Sequence, residues 1–360
     1  MQDKVDLDGQ YSRYYKIIIL FLGILASIGM GFLMIATRSF LLPVILAIFI
    51  YFILDPLICF FEKKRIPTGI SIFLTLLIAV LLFFLLGMMI SNSIDAFSES
   101  FPAYEARFNS LMTQIQKTFH LSDNFLSGDW KNDPYLKDVM ENFSITGLVR
   151  SVLGSISKFL SKFTLVMLFL IFILMGRNQF EKKVTNAYNE IISKRLIKII
   201  HNVHESIRTY IGMQTLISFV TALLVMAVLF FFGMDFIIIW GLLTFLLNFI
   251  PTIGSIFAVL LPVTFAFLQF EDALIVLWIA IVLSIIQFTI GNLIAPKIMG
   301  KSMNLSPLLV LFSLLFWGWL WGSVGMFLAV PLTVVIKIVF ENIDGLRPLS
   351  VLMGGGVDEK

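Results

Sequence analysis

Apolar residues run along this chain in long blocks, separated by short polar or basic punctuation, and blocks of this kind predict helices. A helix needs about 20 apolar residues to cross a hydrocarbon core of about 30 Å. Six blocks meet that length: residues 17–37, 40–60, 70–90, 148–175, 210–232 and 273–294. Arg38 and Ser39 make a tight connection between the first two, and Pro43 falls in the first turn of the second, where proline is tolerated.

Two further blocks are interrupted. Residues 236–249 and 255–270 span only roughly 21 and 24 Å as helices, so each is marginal alone. Asn248, Pro251, Thr252 and Gly254 sit where they meet. Proline removes a backbone donor and glycine relaxes the backbone, so a broken hairpin is expected over 236–270. A second is expected over 306–340: it opens at Pro307, is interrupted around Trp317, Gly318, Trp319, Trp321, Gly322 and Gly325, and carries Pro331 beyond. Backbone broken at membrane depth survives only when buried in protein or lining a wet cavity. The first break therefore reads as part of a transport pathway or, alternatively, as a tight turn between two tilted helices. The run from Gly254 to Pro262 resembles the run from Gly322 to Pro331, one residue longer. Two such hairpins entering from opposite faces would make an inverted-repeat transporter. The match is short and of low complexity, and chance similarity is the alternative.

The pattern changes twice. From residue 91 to about 150 acidic residues gather, while Phe97, Phe101, Tyr104, Phe108, Leu111, Ile115 and Phe119 recur at helical steps. A turn cluster follows at residues 128–134, so this segment reads as a small, mostly helical extramembrane insert. It would contact a partner, shape a vestibule or serve as a plain cap. Residues 177–208 are basic with an apolar stripe, which predicts a helix lying at the membrane interface. The chain thus divides into N-terminal spans (1–92), an insert (93–150), a C-terminal half carrying both hairpins (151–345) and a tail (346–360).

Composition sets the class. Hydrophobic residues make up 59% of the chain and charged ones 14%, more apolar surface than a soluble domain can hide. The fold class is all-α: a polytopic helical membrane protein whose first partner is the bilayer. The near-balanced charge carries no nucleic-acid signal. Cys59 is the sole cysteine, which excludes an intrachain disulfide. No cleavable leader is expected ahead of the first block. Lysine and arginine favour the cytoplasmic side. That rule places both termini and the basic loops inside and the insert outside. The first hairpin then opens outward and the second inward.

The spans hold almost no mid-membrane charge. Asp55 and Asp235 fall near span ends and are the candidate ion-coupling carboxylates. The polar groups within the blocks are amides and hydroxyls: Gln214, Asn248, Thr252, Gln287 and Asn292. Such groups suit a neutral or hydroxylated solute, or they hold helices together at roughly 1 kcal/mol each. Pro251 and Gly254 join them as pathway residues, and Pro296, Gly300, Pro307, Gly322, Gly325 and Pro331 are candidate hinges. Enzyme chemistry has little support. His201, His204 and Glu205 are poor metal evidence, and the Gly300-Lys301-Ser302 run lacks the first half of a phosphate loop. No cofactor and no metal site is expected. Trp317, Trp319 and Trp321 would anchor a turn at the interface, as aromatic belts do, or build a binding cage.

Taken together, these stretches resemble the autoinducer-2 exporter family of bacterial permeases. The resemblance rests on Asp55-Pro56 with Arg65 and Pro67, the 210–214 run (Tyr-Ile-Gly-Met-Gln), the 248–254 run (Asn-Phe-Ile-Pro-Thr-Ile-Gly), the 292–300 run ending in Pro296, Lys297 and Gly300, the 305–307 run (Leu-Ser-Pro) and the 322–331 run. It implies a multipass protein of the bacterial inner membrane that exports small molecules, such as a quorum-sensing signal, in some members and exchanges sodium or lithium for protons in others. It also implies a homo-oligomer, a pentamer being one form. A non-transporting scaffold acting through the insert is the remaining alternative.

Overall fold

The structure, a computed structural model, describes residues 28–119, 163–176, 179–299, 305–343 and 345–355, with Ile18, 21–23 and 25–26 ahead of them. The described elements are all helical. In chain order they are α1 (Phe21–Ala36), α2 (Arg38–Lys63), α3 (Thr68–Phe119), α4 (Phe163–Gly176), α5 (Phe180–Ala187), α6 (Glu190–Phe231), α7 (Ile237–Leu247), α8 (Ile253–Gln269), α9 (Ala273–Phe288), a π-helical turn (Thr289–Ile294), α10 (Ala295–Met299), α11 (Pro307–Glu341) and α12 (Arg347–Met353). The turn cluster at 128–134, the start of the 148–175 block and Gly300 lie outside the described residues.

Two helices run longer than the hydropathy blocks suggest. α3 continues for 52 residues, so the described part of the acidic segment is a direct extension of the third span. α6 continues for 42 residues and absorbs most of the basic segment expected to lie flat as a separate interfacial helix. Only α5 stands apart from it. Asn189 caps the start of α6 by accepting from the Ile192 amide at 3.0 Å. Beyond that cap no proline interrupts the helix, and a buried stripe from Ser193 through Ile207, Tyr210 and Gln214 to Leu229 runs along it. α2 begins at Arg38, so Pro43 is buried inside the helix rather than in its first turn.

The hairpin over 236–270 folds back as expected. Its two ends are tied together: the Asp235 amide donates to Gln269 Oε1 at 2.9 Å, and Gln269 Nε2 donates to the Gly233 carbonyl at 2.9 Å. Its arms hold 11 and 17 residues, or roughly 16 and 25 Å. Both are shorter than a bilayer core.

α11 has the length of a single long span, yet it folds back as well. Gly322 within it has φ 66° and ψ −146°, a conformation open to glycine. As a straight rod, 35 residues would put Ser306 and Glu341 roughly 52 Å apart. The Ser306 amide nevertheless donates to the Met353 carbonyl at 3.0 Å. About 12 residues separate Glu341 from Met353, and even fully extended they could not bridge that distance. The chain therefore reverses at Gly322.

The hairpins enter from opposite ends of α6. The ends of the first lie beside Met234, in a cluster with Val225 and Leu229 near the α6 C-terminus. The second ends at Asn342, whose carbonyl accepts from Arg195 Nη2 near the α6 N-terminus. Two broken hairpins thus approach one long helix from opposite ends.

The π-helical turn has a local cause. Pro296 has no amide hydrogen to continue the α-helical ladder, and its ring crowds the carbonyl one turn back. The helix widens just ahead of it, which fits Pro296 as a site of helix distortion.

Candidate functional site

The tips of the two hairpins meet in the middle of the bundle. Phe249, 1% exposed at the first tip, lies against Phe327 of the second hairpin with ring centroids 4.6 Å apart. Phe49 of α2 closes on both, at 6.0 Å from Phe249 and 5.0 Å from Phe327. Ile250 at the first tip shares a cluster with Leu314, Trp317, Leu320 and Trp321 of the second.

Each tip is made by a close backbone approach. A Cβ on Gly254 would stand 1.7 Å from the Leu247 carbonyl oxygen, and one on Gly325 would stand 1.9 Å from the Trp317 carbonyl oxygen. Neither arm could reverse so tightly with any larger residue there. The structural equivalents are thus Gly254 and Gly325, not the Gly254 and Gly322 that the sequence likeness pairs. The positive-φ residue precedes the close-approach glycine in each hairpin: Thr252 (φ 63°) in one and Gly322 (φ 66°) in the other. Thr252 is the centre of a γ-turn, the Ile253 amide donating to the Pro251 carbonyl at 2.6 Å. A β-branched residue at positive φ is strained.

Gln214 on α6 anchors the first tip. Its Nε2 donates to the Asn248 carbonyl at 2.6 Å and lies 3.4 Å from the Ser218 hydroxyl. Asn248 Oδ1, Thr215 Oγ1 and Thr244 Oγ1 are buried without a hydrogen-bond partner among the described residues. Three polar atoms from two neighbouring elements are therefore left for something else to satisfy.

The other expected pathway residues lie elsewhere on the chain. Gln287 is buried on α9, its Nε2 without a partner among the described residues. Asn292 is exposed in the π-helical turn, and its Nδ2 donates to the Phe288 carbonyl of its own helix at 3.2 Å. The groove of about 370 Å³ between α6 and the α9–α10 segment is lined by apolar groups such as Leu216, Leu224, Ile285 and Ile294, not by these amides. Pro307 opens α11 behind the Ser306 cap, and Pro331 is buried in its second arm. Trp317 and Trp321 are buried and 5.0 Å apart, and Trp321 Nε1 donates to the Met34 carbonyl at 3.2 Å. They are core, and only Trp319 is exposed as an interface anchor would be.

Asp55 packs against the middle of α6, and Asp235 lies just beyond its C-terminal end. Asp55 is fully buried, and Arg208 Nε lies 3.3 Å from its Oδ2. Cys59 Sγ, one turn on, is 3.9 Å from the same oxygen. Tyr51, one turn back, meets His204 at 3.3 Å between Oη and Nε2. Steps of four on α2 (51, 55, 59) thus face a step of four on α6 (204, 208). Asp55 as a coupling candidate was legible in the sequence. Arg208, counted among interfacial cations, and His204 were not; the matching four-residue spacing on the two helices was the available signal.

Asp235 is exposed at the mouth of the first hairpin, where its Oδ2 accepts from the Tyr104 hydroxyl at 2.6 Å. Burial, and then the Asp235 carboxylate, push the Tyr104 phenol well above its ordinary pKa. Arg107 pairs with Glu271 across the same mouth at 3.6 Å. The α3 extension thereby clasps both ends of the hairpin.

Long apolar helices and two inverted broken hairpins with buried polar groups at their tips define a multipass membrane transporter. The sequence comparisons give the family. A model of AI-2E family transporters matches residues 17–345, and the chain belongs to that family. It is 32% identical to the AI-2 transport protein TqsA of Escherichia coli over 93% of this chain and 95% of that one. It is 31% identical to a putative transport protein of Borreliella burgdorferi, over 87% and 84%, and 31% identical to one of Haemophilus influenzae, over 88% and 91%.

Proposed function

We propose that this protein moves a small polar solute outward across the bacterial inner membrane, along a path between the hairpin tips. The observation that carries this reading is the buried Oδ1 of Asn248, unpartnered among the described residues, at the first tip beside the Gln214 anchor, with further unpartnered hydroxyls at Thr215 and Thr244 on the two helices joined there. Hydroxyl and amide oxygens without protein partners suit a solute rich in donors. Pro251, Thr252 and Gly254 hold that surface in place. Gly322, Gly325, Pro296, Pro307 and Pro331 are where the helices bend as the path opens. The relative named for AI-2 transport makes a quorum-sensing signal the leading cargo. Both termini lie in the cytoplasm, and the working unit is a homo-oligomer, with a pentamer as the form to test. Efflux of candidate solutes from proteoliposomes tests the reading. Gln214→Leu and Asn248→Leu should each lower flux while leaving folded protein in the membrane, and unchanged flux in both would sink it.

One observation favours a second reading, sodium or lithium exchange for protons. Asp55 is completely buried against Arg208, and an intramembrane carboxylate commonly marks an ion path. Collapse of a pH gradient on adding sodium or lithium, abolished by Asp55→Asn or by Asp235→Asn, would establish exchange and identify the carboxylate.

A further inference from the structure

We infer that Phe249 and Phe327, one ring from each inverted hairpin, form the gate of this transporter, a hydrophobic plug that opens when the two tips part. The inference rests on the path proposed above and adds what closes it.

Three observations converge. First, the rings lie where the two hairpin tips meet, with centroids 4.6 Å apart. Phe49 meets both, and Phe245 meets Phe249 at 5.6 Å, so the pair is backed on two sides by further rings. Second, the residue next to Phe249 is Asn248, whose Oδ1 is buried without a partner among the described residues. An apolar seal beside an unsatisfied polar group is the arrangement in which a constriction stays dry when closed and offers a hydrogen bond once wetted. Third, both rings stand next to a tight reversal of the chain. Phe249 lies three residues from the strained Thr252, and Phe327 lies five residues from the reversal at Gly322. The first tip is held by Gln214 and the second by Trp321, while the wider ties lie at the hairpin ends, from Gln269 to Gly233 and from Ser306 to Met353. Motion at the tips needs no rupture of the end ties.

A core role would give the same rings ordinary packing and no bearing on permeation. The two roles separate in a measurement that needs neither the natural cargo nor the energy source. Proteoliposomes holding wild-type protein, Phe249→Ala/Phe327→Ala, Phe327→Ser or Phe327→Trp are mixed with urea or glycerol, and swelling is followed by stopped-flow light scattering. A gate predicts that the double alanine and the serine variants admit these solutes at least about tenfold faster than wild type, because a shortened or polar constriction hydrates. The tryptophan variant stays closed. Should the double alanine variant fail to reconstitute, the serine variant alone decides. Wild-type permeability in a variant that elutes and reconstitutes as wild type would overturn the gate. Failure of the functional reading looks different: wild-type protein would export none of the tested solutes, while the leak of the variants would still report on the plug.

Discussion

Tyr104 and Asp235 stand 131 residues apart in sequence, yet the phenol donates to the carboxylate across 2.6 Å. The bond holds the α3 extension to the mouth of the first hairpin. Tyr104→Phe keeps the ring among Phe97, Phe236 and Phe265 and removes only the donor. Asp235 is exposed, so the expected loss is about 1 kcal/mol, read as a lower melting temperature and faster amide exchange at residues 233–236.

The same bond has a pH signature. The phenol's pKa is raised in the fold, so its contribution is fully present below the unfolded value of about 10 and declines as pH rises through the higher folded value. The stability difference between wild type and Tyr104→Phe should stay flat from about pH 7 to 9 and shrink only above about 10. Thermal unfolding in detergent across that range checks it; a difference that vanished below pH 9 would remove the bond from the account.

The glycines of the second hairpin should rank by what a Cβ would meet. Gly325→Ala would drive a methyl into the Trp317 carbonyl and should cost more than about 3 kcal/mol. Gly322→Ala meets open space but keeps a positive φ, a cost of about 1–3 kcal/mol. At Gly318 the nearest obstacle is the flexible end of Met326, at 2.8 Å, so alanine there should be the mildest of the three. Melting temperatures of the three variants give the order directly.

Both breaks in the membrane helices were legible, because proline and glycine act on their own backbone and need no partner. Their pairing was less so. Matching Gly254 with Gly322 follows the letters, whereas the fold matches Gly254 with Gly325, since the close approach is set by the opposing arm. The Asp55–Arg208 and Tyr104–Asp235 contacts join residues far apart in sequence and leave no trace in local hydropathy. The reach of α6 was hidden for another reason. Lysines and arginines between Glu190 and Arg208 lower the hydropathy without interrupting the helical ladder.

Asp55 and Arg208 should couple. Asp55→Asn removes the charge that faces Arg208, and breaking a buried pair costs about 3–5 kcal/mol. Arg208 is one-third exposed, so water softens the loss toward the lower end of that range. Adding Arg208→Gln should recover part of it. A double-mutant cycle on thermal stability measures the coupling, and strict additivity would show that the pair contributes nothing.

Thr252→Gly should relieve the γ-turn at the first tip and raise stability by about 1 kcal/mol. If the strain serves transport, the stabilised variant will be slower in flux. A variant both more stable and equally fast would make the strain incidental.

Two hairpins that invade from opposite ends of one helix make that part of the protein look similar when turned over. A perfectly reversible object has no preferred direction, and its cargo would simply follow its gradient. The unlike parts are what break that symmetry: a strained threonine at one tip against a relaxed glycine at the other, and a tyrosine clasp at one end of α6 against a sunken ion pair near its middle. Those mismatches set how readily each face opens, whereas the net direction of traffic is set by the cargo's gradient or by a coupled ion; grafting one tip onto the other should even out the two facings.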